Sequence, residues 1–182
     1  MTEVATIVER GRFVPANFFS FFTIGSNLFA VAILILSALA LAGGKESRLI
    51  TMLLGASTLH MIVTGIVFAV LLRGLDVNLT AVPWDNLVLH YIMPIVVALD
   101  WFINMPKTRI ALKQALVWAV YPIAYIIYTL IRGPIVGWYP YPFLNPSENG
   151  YMSVAVSSIS IGLVTVGLIW MLSWSTRRQI KP

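Results

Sequence analysis

An all-α polytopic transmembrane helix bundle of five spans is what this sequence predicts, on three observations. Hydrophobic residues make up 59% of the chain and charged residues only 10%, with a mean hydropathy of +0.87, whereas a soluble globular chain carries about 25% charged residues. The charges are gathered between long apolar stretches rather than spread through them. Each stretch is near or above the ~20 residues that cross a bilayer. The 182 residues are then a single transmembrane domain, 1–182, with no room for a soluble module.

A charge at a helix centre costs about 2.5–3.5 kcal/mol on insertion, so charges bound the spans. Nothing charged occurs between Arg12 and Lys45, which places the first span at 18–42, closed by Gly43-Gly44. The second lies between Arg48 and Arg73, at 49–72. The third follows Pro83-Trp84-Asp85, with Asp85 as its expected N-cap, and covers 86–104, ending before Pro106. The fourth occupies 110–131 and contains Pro122, expected to kink it. The fifth is 151–175, where Ser158, Gly162 and Thr165 form a small-residue stripe, with Ser153 and Ser157 above it, suited to close helix packing; a homo-oligomer is a separate expectation. Residues 1–12 are mixed in charge and lack a signal-peptide pattern.

Orientation follows from the connections. One side holds Lys45, Arg48, Lys107, Arg109, Lys113, Arg177, Arg178 and Lys181, and the other Arg10, Arg12, Arg73 and Arg132, eight against four. Positive residues accumulate on the cytoplasmic side, so the expected protein sits in the cytoplasmic membrane with its C-terminus inside. The net charge of +5 is then a topology signal, and no nucleic-acid signature accompanies it. The longer exterior loops carry Trp84 and the run Trp138-Tyr139-Pro140-Tyr141-Pro142-Phe143, which reads as interfacial aromatics on a stiff backbone. With no cysteine, thiolate and zinc-thiolate chemistry are excluded, and two distant histidines do not make a metal centre. No cofactor is expected.

Polar residues inside the spans need a reason. Thr23 and His90 each lie about one and a half turns into their spans, both entering from the same side, hence roughly 8 Å deep at 1.5 Å per residue. Ser20, Thr23, Ser26 and Asn27 fall at i, i+3, i+6 and i+7, one polar stripe on the first helix, and Asn86 and His90 share a face of the third. One reading is an ester hydrolase: His90 takes the Thr23 proton as the hydroxyl attacks, and Ser26, Asn27 or Asn86 supplies an oxyanion donor or orients the imidazole. The other is structural, with Thr23 bonded to its own i−4 carbonyl and His90 bridging two helices. His60 and Asp100 also fall within spans. They read as a hydrogen-bonded core residue and an ion-pair partner for Lys107, Lys113 or His60, or else as the path of a small transporter or channel. Asp100 lies too deep, and roughly 80° around the helix, to complete a triad with His90. A non-catalytic membrane scaffold is the third alternative.

Four motifs in order carry a resemblance. Phe18-Phe19-Ser20-Phe21-Phe22-Thr23-Ile24-Gly25-Ser26-Asn27-Leu28, Asp85-Asn86-x3-His90-x3-Pro94, Asp100-Trp101 and Tyr141-Pro142-Phe143-Leu144 resemble the bacterial six-helix relatives of the androgen-induced transmembrane protein family, over roughly residues 17–175. Animal members of that family are threonine hydrolases that cleave fatty-acid esters of hydroxy fatty acids with one membrane-embedded Thr and one His. The resemblance implies a nucleophile at Thr23, a histidine at His90, and a fatty-acyl ester substrate drawn from among membrane lipids. The family usually has another helix before the Phe-rich motif, where only residues 1–16 stand here. The expectation is either five helices or a start downstream of the usual one.

Overall fold

The computed structural model describes Val8 and residues 13–44, 47–73 and 83–179. Expectations resting on Arg10, Arg12, Lys45, Lys181, the Arg178 side chain and the connection 74–82 lie outside the described residues. Five helices are long and apolar enough to cross a membrane: α1 (Phe22–Ala42), α2 (Arg48–Leu72), α3 (Trp84–Ile103), α4 (Leu112–Val136) and α5 (Pro146–Ser175). No strand occurs among the described residues. The chain is an all-α polytopic bundle and a multi-pass membrane protein.

Helix α2 is the pillar. Its most apolar window is 56% buried, against 17–28% for the other four, whose remaining surface faces outward with Leu, Ile and Val. Helices α1, α3 and α5 pack along α2. The run Gly55-Ala56-Ser57-Thr58 gives the pillar a slim face. At Gly55 the Trp118 indole of α4 lies so close that any Cβ would overlap it. Lipid offers no hydrophobic drive between helices, so close packing and interhelical hydrogen bonds, about 0.6–2 kcal/mol each, hold such a bundle.

The boundaries differ from the hydropathy reading where side chains capture backbone groups. A single turn, Pro15–Phe18, precedes α1, and the chain breaks before restarting at Phe22 rather than running on from residue 18. The Ser20 carbonyl, which a continuous helix would bond to the next turn, instead accepts the Tyr125 hydroxyl at 2.9 Å. The Ser20 hydroxyl pairs with Tyr128 at 2.7 Å. Phe21 is extended as a result. The helical turn Pro83–Leu87 that leads into α3 opens two residues before the expected cap, because proline suits a first helical position; Asp85 lies inside that first turn, not at the N-cap.

Helix α4 starts at Leu112 and runs on to Val136, past the expected end at 131. Arg132 does not stop it, because its guanidinium donates to Asn17 Oδ1 at 2.7 Å and lies 5.6 Å over the Trp138 ring. The disturbance expected at Pro122 appears in the turn before it, where Leu116–Ala119 tighten to a 3-10 helix. Proline has no N–H for the carbonyl four residues back, Trp118, and His60 of α2 takes that carbonyl at 3.0 Å.

In α5 the backbone is non-helical at Gly150, so its regular part follows that residue, as the sequence places it. The small-residue stripe is only partly used. Thr165 is buried and donates to the Ile161 carbonyl, but no atom lies within 4 Å of where a Gly162 Cβ would stand. At the far end of the bundle, Trp101 Nε1 donates to Ser175 and Ser173 donates to the Ile110 carbonyl, fastening α5 to the α3–α4 connection.

Candidate active site

Two π turns mark the other end of the bundle, Phe68–Leu72 closing α2 and Val88–Ile92 within α3. Such bulges are rare and gather at functional sites. They meet face to face: the Phe68 ring stacks on the His90 imidazole at 4.2 Å and 20°. Pro94, four residues beyond His90, cannot donate back into the bulge. Asn27 of α1 fills part of that gap, its Nδ2 donating to the Leu89 carbonyl at 3.4 Å and to its own Thr23 carbonyl at 2.9 Å. One amide thereby ties the Thr23 turn to the His90 turn.

The two hydrogen-bond partners of His90 set its tautomer. Nδ1 lies 3.2 Å from the Asn86 carbonyl, which can only accept, so Nδ1 carries the proton in the neutral ring. Nε2 is then an acceptor, and Thr23 Oγ1 lies 3.2 Å from it. The Thr23 hydroxyl donates to the imidazole. Thr23 makes no bond to its own i−4 carbonyl, since its helix starts only one residue earlier.

A third group completes the arrangement. Tyr141, from the connection between α4 and α5, is buried and reaches 3.2 Å from Thr23 Oγ1. With the Thr23 proton on His90, the phenol must be the donor to Oγ1. The Thr23 N–H in turn donates to the phenol oxygen at 3.3 Å. That N–H is free for the purpose because the break at Phe19–Phe21 puts Thr23 second in its helix, where backbone donors lack intrahelical partners and the macrodipole is positive. Burial raises the Tyr141 hydroxyl above its ordinary value of 10, and the hydrogen bonds with Thr23 oppose that shift.

The aromatic run that reads as an interfacial belt thus folds inward. Phe143 stacks on Tyr141 at 5.3 Å, Trp138 meets Phe21 edge-on, and the Tyr139 ring fills the space where Gly133 of α4 lacks a side chain. Tyr141 escaped the sequence reading. The available signal was its position between Pro140 and Pro142, two prolines that fix the backbone on either side of one phenol.

The remaining sequence-predicted residues separate by place. Asn86 serves His90 through its backbone carbonyl. Asn27 spends its amide on two backbone carbonyls, and Ser26 is buried beside the Tyr121 hydroxyl. Neither side chain bonds to Thr23 Oγ1 or to the His90 ring; among the described residues the one polar side chain that reaches Thr23 besides His90 is Tyr141. His60 stands among the Phe22, Phe29 and Tyr121 rings with its Nε2 on Trp118. Asp100 accepts from Asn104 at 2.7 Å and lines a cleft at the opposite end of the bundle, whose wall does not include His60. The pair invoked for a transport path therefore does not share a recess.

Beside Thr23 lies a small recess of about 50 Å³, walled by Val63, Val67, Leu72, Ile126, Phe143 and Leu144 among others. Comparison with protein-family models, curated proteins and solved structures gives no match to this chain.

Proposed function

We propose that this protein is a membrane-embedded hydrolase of fatty-acyl esters, with Thr23 as nucleophile and His90 as base. One observation carries the reading: the chain from the Asn86 carbonyl through the His90 ring to Thr23 Oγ1, in which the imidazole can only accept the threonine proton. A hydroxyl is a weak nucleophile without such a base. The resemblance to the androgen-induced family points to the same two residues, and the wall of the small recess beside Thr23 is almost entirely apolar, the chemistry that an acyl chain matches.

The steps balance without a cofactor. Thr23 Oγ1 bonds to the ester carbonyl carbon while its proton passes to His90 Nε2. The carbonyl oxygen becomes an oxyanion, for which the Thr23 N–H at the start of α1 and the Tyr141 hydroxyl are the nearest donors; such donors contribute about 3–4 kcal/mol each. The bond from carbon to the alkoxy oxygen breaks, and the imidazolium protonates the departing alcohol. Water then gives a proton to His90 and attacks the acyl-threonine, releasing the carboxylic acid and returning the proton to Oγ1.

The test is covalent labelling by a fluorophosphonate, alongside hydrolysis of a long-chain umbelliferyl ester in micelles. Wild type should label and turn over, whereas Thr23→Ala and His90→Ala should do neither. Equal labelling of all three proteins would end the proposal.

A further inference from the structure

At the end of the bundle away from Thr23, α1, α2 and α3 enclose a cleft of about 420 Å³, against the 50 Å³ beside the threonine. Cavities of about 300–1,000 Å³ take small molecules, so this one has room for a ligand. The last turns of α1 give it Ser37 and Leu41, the first turns of α2 Thr51 and Leu54, and the last turn of α3 Asp100 and Ile103. Lys107 and Thr108 join the wall from the connection after α3. At 1.5 Å per residue, Ser37 and Leu54 lie about 8 and 9 Å inside the ends of their helices. Over a similar depth a bilayer passes from hydrocarbon to headgroups.

The wall carries both signs of charge. Asn104 donates to Asp100 Oδ1 at 2.7 Å, which fixes the carboxylate and uses one of its roughly four acceptor sites. Thr51 gives its own proton to the Ser47 carbonyl at 3.2 Å, so toward any further partner its oxygen is an acceptor. Asp100 and Thr51 therefore suit a cation that can donate hydrogen bonds, whereas Lys107 and Thr108 bring donors and a positive charge for an anion. Leu41 and Ile103 line the same cleft and are 66% and 74% exposed, so its rim belongs to the apolar outer surface. An occupant must be a zwitterion at one end and hydrocarbon at the other.

We propose that this cleft holds the headgroup of a membrane phospholipid bearing a primary ammonium, as phosphatidylethanolamine does. The ammonium donates to Asp100 and Thr51, the phosphate accepts from Lys107 and Thr108, and the acyl chains leave across Leu41 and Ile103. A choline headgroup has no N–H to give Asp100, and a glycerol headgroup has no cation. The site is at the opposite end of the bundle from Thr23 and His90, so it stands without the hydrolase reading.

The experiment titrates full-length, delipidated protein with phosphatidylethanolamine, phosphatidylcholine and phosphatidylglycerol of identical acyl chains, and counts bound lipid by native mass spectrometry. The ethanolamine lipid should bind about tenfold or more tighter than the other two, the scale of one hydrogen bond to a charged group. Asp100→Asn, which keeps the side-chain shape, should erase that preference. Ala40→Trp, which fills the cleft and leaves Asp100 in place, should erase it too, and circular dichroism checks that both variants fold. Lys107→Ala should weaken all three lipids alike through their shared phosphate. Leu99→Ala, on the exposed face of α3, should change nothing. Soluble glycerophosphoethanolamine at the lipid's concentration should leave the lipid bound. Equal affinity for the ethanolamine and choline lipids, a tighter hold on phosphatidylglycerol, a preference that survives both Asp100→Asn and Ala40→Trp, or displacement by the soluble headgroup overturns the proposal.

Discussion

The two buried histidines of this bundle are near-equivalents in sequence and opposites in use. Each is next to a turn disturbed by proline, and each bonds a backbone carbonyl. His60 reaches across from α2 to the Trp118 carbonyl that Pro122 leaves without a donor, and its other nitrogen is buried with no partner among the described residues. It repairs a helix. His90 bonds within its own helix, so its second nitrogen is free to point across to a hydroxyl on another. The lesson is that a histidine's task follows from which carbonyl takes its first proton: a distant one makes it a strut, a local one leaves a base aimed outward.

The largest expected effect breaks this pair apart. Thr23→Ala or His90→Ala should lower ester turnover by about 10³-fold or more, while His60→Ala, measured per folded molecule in the same micelles, should stay within roughly threefold of wild type. Matching losses at the two histidines would erase the distinction. For stability the ranking reverses. His60→Ala strands a buried carbonyl and should cost about 1–3 kcal/mol in unfolding experiments. Adding Pro122→Ala returns a backbone N–H to Trp118, so the double variant should recover part of that loss, with a coupling of about 0.5–3 kcal/mol. Strict additivity would mean the two sites do not compensate each other.

A smaller effect sharpens the His90 side. Tyr141→Phe removes one donor from Thr23 and leaves the ring stack, so kcat should fall about 10²- to 10³-fold with KM little changed. The pH profile is the subtlest measure. Turnover should fall toward acid as His90 binds a proton and stops accepting. On the alkaline side, burial holds the Tyr141 hydroxyl above 10, so it remains a donor beyond that pH and turnover should persist there. Because the fold favours the protonated phenol, the stability this group contributes is complete below pH 10 and is lost as the pH rises through its higher folded value.

The spans were legible because a charge-free stretch is a direct physical requirement of the bilayer: α2 and the regular part of α5 stand within a residue or so of where Arg48, Arg73 and the terminal basic cluster place them. The break before Phe22 was not legible. It depends on a hydroxyl from Tyr125, about a hundred residues further along the chain, capturing one carbonyl, and hydropathy carries no such term. Thr23 and His90 stood out because isolated polar groups in lipid need partners, yet which atoms they share depends on helix rotation. The π turn that rotates His90 was foreshadowed only by Pro94. Tyr141 was hidden by its company, since one phenol among five other aromatic or proline residues reads as part of a belt.

The fit of Tyr139 against Gly133 reaches further than local packing. The loop that delivers a phenol to Thr23 is seated on α4 through a missing methyl, so its height above the nucleophile is set at a position with no part in the chemistry. Anyone wishing to widen or retune this pocket would begin at residue 133, adjusting the whole roof like a hinge shim while leaving every reacting atom as it is.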